Sequence, residues 1–152
     1  EFGSLLDQPD GDLATILLLD QFTRNIYRGS AKAFSEDAIA LNICKEGIKK
    51  QRDQSLTPSQ RVFYYLPLEH SESADDLAYC VMLYQGLANE MTKQHGGKYQ
   101  ALFNGYLSYA KKHQTIIQQF GRYPYRNTVI GRDSTDEELI YLNSDSADRF
   151  DQ

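Results

Sequence analysis

The chain has 152 residues, a formal net charge of -5 and a pI near 5.1. That length suits one domain burying roughly two-thirds of its unfolded surface, and the acidic balance argues against nucleic-acid binding through general phosphate attraction. The longest apolar run, Leu13 to Leu19, is far short of the roughly 20 residues that span a bilayer, and no secretory leader opens the chain. Cys44 and Cys80 each fall inside a helical apolar pattern and read as small core residues rather than a disulfide. The expectation is a cytoplasmic protein without membrane contact.

Glu1-Phe2-Gly3-Ser4 reads as a tag remnant, and residues 1–12 as a lead-in outside the fold. Asp12 is the expected N-cap of a first helix, whose leucine-rich run implies burial on every side. Asp20 and Arg24 lie four residues apart, a favourable pairing on one helix face. After Gly29, Ser35 should cap a second helix running to about Lys50, with Phe34 and Ile39 as a hydrophobic staple. Thr57-Pro58-Ser59-Gln60 is a capping box with proline at the first helical position; it opens a short helix anchored by Val62 and Phe63 and ended by Pro67.

Ser73 with Asp76 opens a fourth helix whose apolar positions are Leu77, Val81, Tyr84, Ala88 and Met91, and Gly96-Gly97 ends it. A fifth, from about Lys98 to Phe120, repeats the spacing at Leu102, Tyr106, Tyr109, His113, Ile116 and Phe120. Two such seams predict an antiparallel pair. Ser134-Thr135-Asp136-Glu137 marks a last short helix to Leu142, and residues 143–152 form a polar tail. No segment alternates with the period of a strand. The fold class is therefore all-α: one domain over residues 13–142, built of antiparallel helical hairpins in a short array or a compact bundle.

The stretch Phe120 to Arg132 gathers Arg122, Arg126 and Arg132 with Tyr123, Tyr125 and Asn127 around a proline and two glycines, an ordered excursion of the kind that carries sites. It echoes Arg24-Asn25 with Arg28 and Gly29. The third polar concentration is Glu69-His70-Ser71-Glu72, at a turn. The sequence leaves two uses for these arginines. As structural cross-links they pair with Asp20, Glu69 and Glu72 and satisfy helix-end carbonyls. As a site they leave excess guanidinium, and Arg24, Asn25, Arg28, Glu69, His70, Glu72, Arg122, Tyr125, Arg126, Asn127 and Arg132 would bind a carboxylate or phosphate group. Both uses place Arg24-Asn25 and Arg126-Asn127 against the Glu69 to Glu72 turn, since buried carboxylates need partners. Glu69, His70 and His113 are the candidate acid and base groups. They lack the spacing of metal ligands, so neither metal nor cofactor is expected.

Leu19-Asp20-Gln21-Phe22 with Arg24-Asn25, Pro67-Leu68-Glu69-His70-Ser71-Glu72, and Phe120-Gly121-Arg122 through Arg132 with Ser134-Thr135 together resemble the bacterial family called domain of unknown function 924. The resemblance spans about Leu13 to Leu142. It implies a helical fold similar to tetratricopeptide-repeat proteins and no established activity. Family members typically begin with a further segment carrying a Phe-Trp-Phe-like motif; this chain has no tryptophan, which implies that one or two N-terminal helices are absent. Tyr125 stands where the family pattern usually has histidine, which removes an imidazole from any acid or base role there. Two functional classes follow: a binding domain for a small anion or an acidic peptide segment, or an enzyme acting on a small anionic substrate with Glu69 or His70 as acid and base.

Overall fold

The computed structural model describes residues 8–145, 147, 148 and 150. The tag reading and part of the polar tail lie outside the described residues. Helix α1 (Pro9–Ile16) starts earlier than expected, with Gln8 extended at the cap and Pro9 at the first position. Proline suits that position because its missing N–H has no helical partner anyway. Asp12 is thereby not the cap. It is buried within α1, ion-paired with Arg52 Nε at 2.6 Å and accepting from the Tyr64 hydroxyl at 2.8 Å.

The chain continues from α1 into a π-helical turn (Leu17–Phe22) and then α2 (Thr23–Ile26). The leucine run is not buried all round: Leu13 and Ile16 enter the core, while Leu18 is 59% exposed. A π turn closes its hydrogen bonds one residue further along than an α turn, which shifts the side-chain register, and Asp20, within it, is wholly buried.

A 3-10 turn (Ala31–Phe34) precedes α3 (Asp37–Lys49). The expected Ser35 cap and Phe34–Ile39 staple do not form. Glu36 holds the cap position without a side-chain bond, Ser35 donates back to the Lys32 carbonyl, and Ile39 is exposed. Phe34 is committed elsewhere, its ring under the guanidinium groups of both Arg24 and Arg126, at 5.2 and 4.9 Å.

Helix α4 (Pro58–Tyr64) has the full Thr57/Gln60 capping box. It ends at Tyr64, and Pro67 opens α5 (Leu66–Glu69) rather than closing α4, again in the first turn. Val62 is a core residue, but Phe63 is 43% exposed. Successive helical residues point about 100° apart, and α4 turns Val62 inward and Phe63 toward the surface.

Helices α6 (Ala74–His95) and α7 (Gln100–Phe120) make the most extensive contact in the fold, the expected antiparallel pair, ended by left-handed Gly96 and Gly121. The α7 seam is not the one expected in its first half. Phe103, Leu107 and Ala110 are buried, while Leu102 and Tyr109 are at least half exposed; the registers rejoin at His113 and Ile116. Both neighbouring rows are apolar, and close packing against α6 selects the row containing small Ala110. Helix α8 (Asp136–Leu142) has its capping box, made by Thr135 and Glu138.

The fold is all-α, with no strand among the described residues. A larger core joins α1, α3, α4, α6 and α7, and a smaller one sets Tyr123 against Leu77, Ile116 and Ile117. Cys44 and Cys80 are buried free thiols. No helix among the described residues is long and apolar enough to cross a membrane.

Candidate functional site

Three stretches distant in sequence meet where the π turn, the end of α5 and the Tyr123–Arg132 excursion converge. Asp20 Oδ1 lies 3.3 Å from Arg24 Nη2 and 2.7 Å from His70 Nδ1. Arg24 also donates to Asp37 at 2.6 Å. Arg126 donates from Nη1 to the His70 carbonyl at 3.1 Å, and its guanidinium is stacked between Phe34 and Tyr123, 4.4 Å from the latter ring. Arg132 grips Glu72 with both terminal nitrogens at 2.6 and 2.8 Å. The Tyr123 hydroxyl donates to the Glu69 carbonyl. Arg24 and Arg126 therefore do converge on the Glu69 to Glu72 turn.

The asparagines do not accompany them. Asn25 stays on its own helix, donating to the Gln21 carbonyl and accepting from Arg28. Asn127 is buried but turned toward Ser134, Glu138 and Arg132. Arg122 belongs to a neighbouring junction, where its Nε and Nη2 bind Glu138 at 2.6 and 2.8 Å. It holds the α8 capping box together. The Tyr125 hydroxyl is buried without a hydrogen-bond partner, as are Nε and Nη2 of Arg126.

Electrostatics divide the titratable groups at the centre. Burial opposes ionisation of Asp20, yet His70 and Arg24 outweigh it and hold its carboxyl well below the usual carboxylate range. Burial, assisted by Arg24, lowers His70. At neutral pH the pair is thus an ionised carboxylate accepting from a neutral imidazole, which puts the proton on Nδ1 and leaves Nε2 as a base. Burial pushes Glu69 up to about 8, with Asp20 adding to the effect, and burial drives His113 down to about 3. The 3.5 Å approach of His113 Nδ1 to Glu69 is accordingly a contact of neutral groups rather than an ion pair. His113 Nδ1 donates to the Tyr109 carbonyl at 2.9 Å, which again leaves Nε2 bare.

These groups line a cavity of about 240 Å³ with Arg24, Asn25 and Arg28 on one side and Glu69, His70 and His113 on the other. Phe150 closes part of it, stacked on His113 at 3.6 Å. Glu69 is the one carboxyl in this lining, and its burial favours the protonated form. His70 also borders a second cavity, of about 290 Å³, whose wall includes Asp37, Glu72 and Arg126. Arg28 has no carboxylate partner among the described residues and donates to Asn25 Oδ1 at 3.1 Å. No group of three or more His, Cys, Asp or Glu residues among those described is placed to hold a metal ion.

Sequence reasoning missed Asp37, Phe34, Tyr109 and Phe150 as members of this region. Asp37 carried one signal, since it sits in the first turn of α3 with no arginine near it in sequence. Nothing local marked Tyr109 or Phe150, which arrive by packing alone.

Compared with known proteins, the chain matches the family described as bacterial protein of unknown function (DUF924) over residues 1–146. That match includes the stretch read above as a lead-in. No curated protein matches it. A solved protein of unknown function from Agrobacterium tumefaciens, ATU0120, is 34% identical with a TM-score of 0.77, over 94% of this chain and 73% of the other. The shared motifs, the helical architecture and the match over nearly the whole length agree, and the chain belongs to the DUF924 family.

Proposed function

We infer that this domain binds a small anion in the cavity between α2, α5 and α7. One observation carries the reading: the lining sets Arg28, which has no carboxylate partner among the described residues, beside Glu69, the one carboxyl of the lining, whose pKa burial raises to about 8. A bound carboxylate or phosphate oxygen would accept from the Arg28 guanidinium and from the Glu69 hydroxyl, both charge-assisted hydrogen bonds. The neighbouring cavity supports an anion less well, because Asp37 and Glu72 stand in its wall. Most of the other arginines are already neutralised: Arg24 by Asp20 and Asp37, Arg122 by Glu138, Arg132 by Glu72.

A second reading, acid and base chemistry on the bound anion, is favoured by the Asp20–His70 pair. Asp20 fixes the tautomer that makes His70 Nε2 a base, while Glu69 keeps a proton to donate. Groups whose pKa values are pushed apart within one cavity are suited to those two roles.

Calorimetric titration at pH 6.5 with acetate and with phosphate tests the binding reading. Saturable heat is expected, weakened about tenfold or more in Arg28→Gln, since a hydrogen bond to a charged group contributes roughly 1.5–3 kcal/mol. Arg28 is exposed, so that variant keeps the fold. Absence of binding, or equal binding by parent and variant, overturns the reading.

A further inference from the structure

A larger cavity, of about 430 Å³, lies against the polar one, between α4, α5 and α7. Its size falls in the range of small-molecule sites, roughly 300–1,000 Å³. Its walls are Val62, Phe63, Leu66, Leu102, Tyr106 and Tyr109, and Glu69 is the sole ionisable carboxyl among its lining residues. Glu69 and Tyr109 line both cavities. The two spaces thus adjoin along a wall that includes Glu69 and Tyr109. Phe63, Leu102 and Tyr109, three of the residues that departed from the expected core, are 43%, 50% and 57% exposed around this groove.

We propose that the anion bound in the polar cavity is an amphipathic monocarboxylate, with its head between Arg28 and Glu69 and its hydrocarbon chain in the groove between α4 and α7. This rests on the anion-binding reading above and specifies the ligand. Charge complementarity gives the orientation: the cationic rim lies on the polar side of the shared wall and the groove beyond it is apolar. A partner helix laid in the groove would leave the polar cavity unfilled. An acyl chain with an acidic head fills both, and it removes apolar side chains from water that the fold leaves exposed.

Gly105 provides a way to close the groove without disturbing the fold. It lies on α7 in the groove lining, and a Cβ added there meets nothing within 4 Å. Leucine is also a better helix former than glycine, so Gly105→Leu fills the groove while favouring α7. The experiment is calorimetric titration of the parent and Gly105→Leu with acetate, butyrate, hexanoate and octanoate, and with 1-octanol. In the parent, affinity should rise about fourfold for each methylene added, the burial increment of a CH₂ group. In Gly105→Leu the dependence on chain length should disappear while acetate affinity is retained. Octanol should bind far more weakly than octanoate.

The outcomes separate the two readings. Equal affinity for acetate and octanoate overturns the amphipathic ligand and leaves the anion site standing. An unchanged chain-length series in Gly105→Leu also overturns it, because the chain then lies elsewhere. Octanol matching octanoate overturns the head-group assignment. Failure of every carboxylate to bind overturns the amphipathic ligand, and failure of phosphate as well removes the anion site with it.

Discussion

Replacing Glu69 with glutamine tests the electrostatics at the centre of the site, because glutamine keeps the shape of a protonated glutamate and cannot ionise. The folded-state pKa of Glu69 is raised from 4.5 to about 8 by burial. Above pH 4.5 the unfolded chain loses this proton while the folded protein keeps it, so the folded state binds more protons and stability falls as pH rises. The fall proceeds at about 1.4 kcal/mol per pH unit and stops near pH 8, a total of about 5 kcal/mol. His113 acts in the opposite sense in a lower window. Its pKa is depressed from 6.5 to about 3, so it costs stability as pH falls below 6.5. Comparing the parent with Glu69→Gln cancels that contribution. In guanidinium unfolding at pH 5, 6, 7 and 8, the variant should gain on the parent by about 1.4 kcal/mol for each unit. A difference that stays flat from pH 5 to pH 8 refutes the reasoning, since Glu69 would then titrate as an ordinary solvated or ion-paired carboxylate.

Gly47→Ala should destabilise the domain by about 2–4 kcal/mol, because the added Cβ would lie 1.7 Å from the Tyr64 hydroxyl oxygen and 2.9 Å from Asp12 Oδ2. Gly86→Ala, exposed in α6 with nothing within 4 Å, should instead stabilise by about 0.5–1 kcal/mol; denaturant unfolding of the two variants gives the signs directly. Arg126→Ala should cost about 1–3 kcal/mol, as it empties the space between Phe34 and Tyr123 and leaves the His70 carbonyl unpaired. A loss under about 1 kcal/mol in the same assay would mean that this guanidinium behaves as an exposed group. Cys44 and Cys80 should resist a thiol reagent in the native state and react fully in denaturant, since both are buried and burial raises their thiol pKa values. Native-state labelling at the rate of a free thiol would contradict that burial.

What the sequence determined by itself was mainly local. The capping boxes at Thr57/Gln60 and Thr135/Glu138, the glycine end of α6 and the Asp20–Arg24 pair all depend on groups within a few residues of one another, so their chemistry is written in adjacent letters. The all-α class followed from periodicity, and the meeting of Arg24 and Arg126 with the Glu69 turn followed from the need of buried charges for partners. Tertiary structure decided the rest. Which of two adjacent apolar rows on α7 faces inward depended on the fit against α6, and that choice exposed Leu102 and Tyr109 to form the groove. Arg122 went to Glu138 because α8 packs beside it, and Phe34 became a platform for two arginines instead of a staple. The proton on Glu69 was invisible for the same reason. A carboxyl's pKa is set by how much water is excluded around it, and the elements that exclude it come from the whole length of the chain.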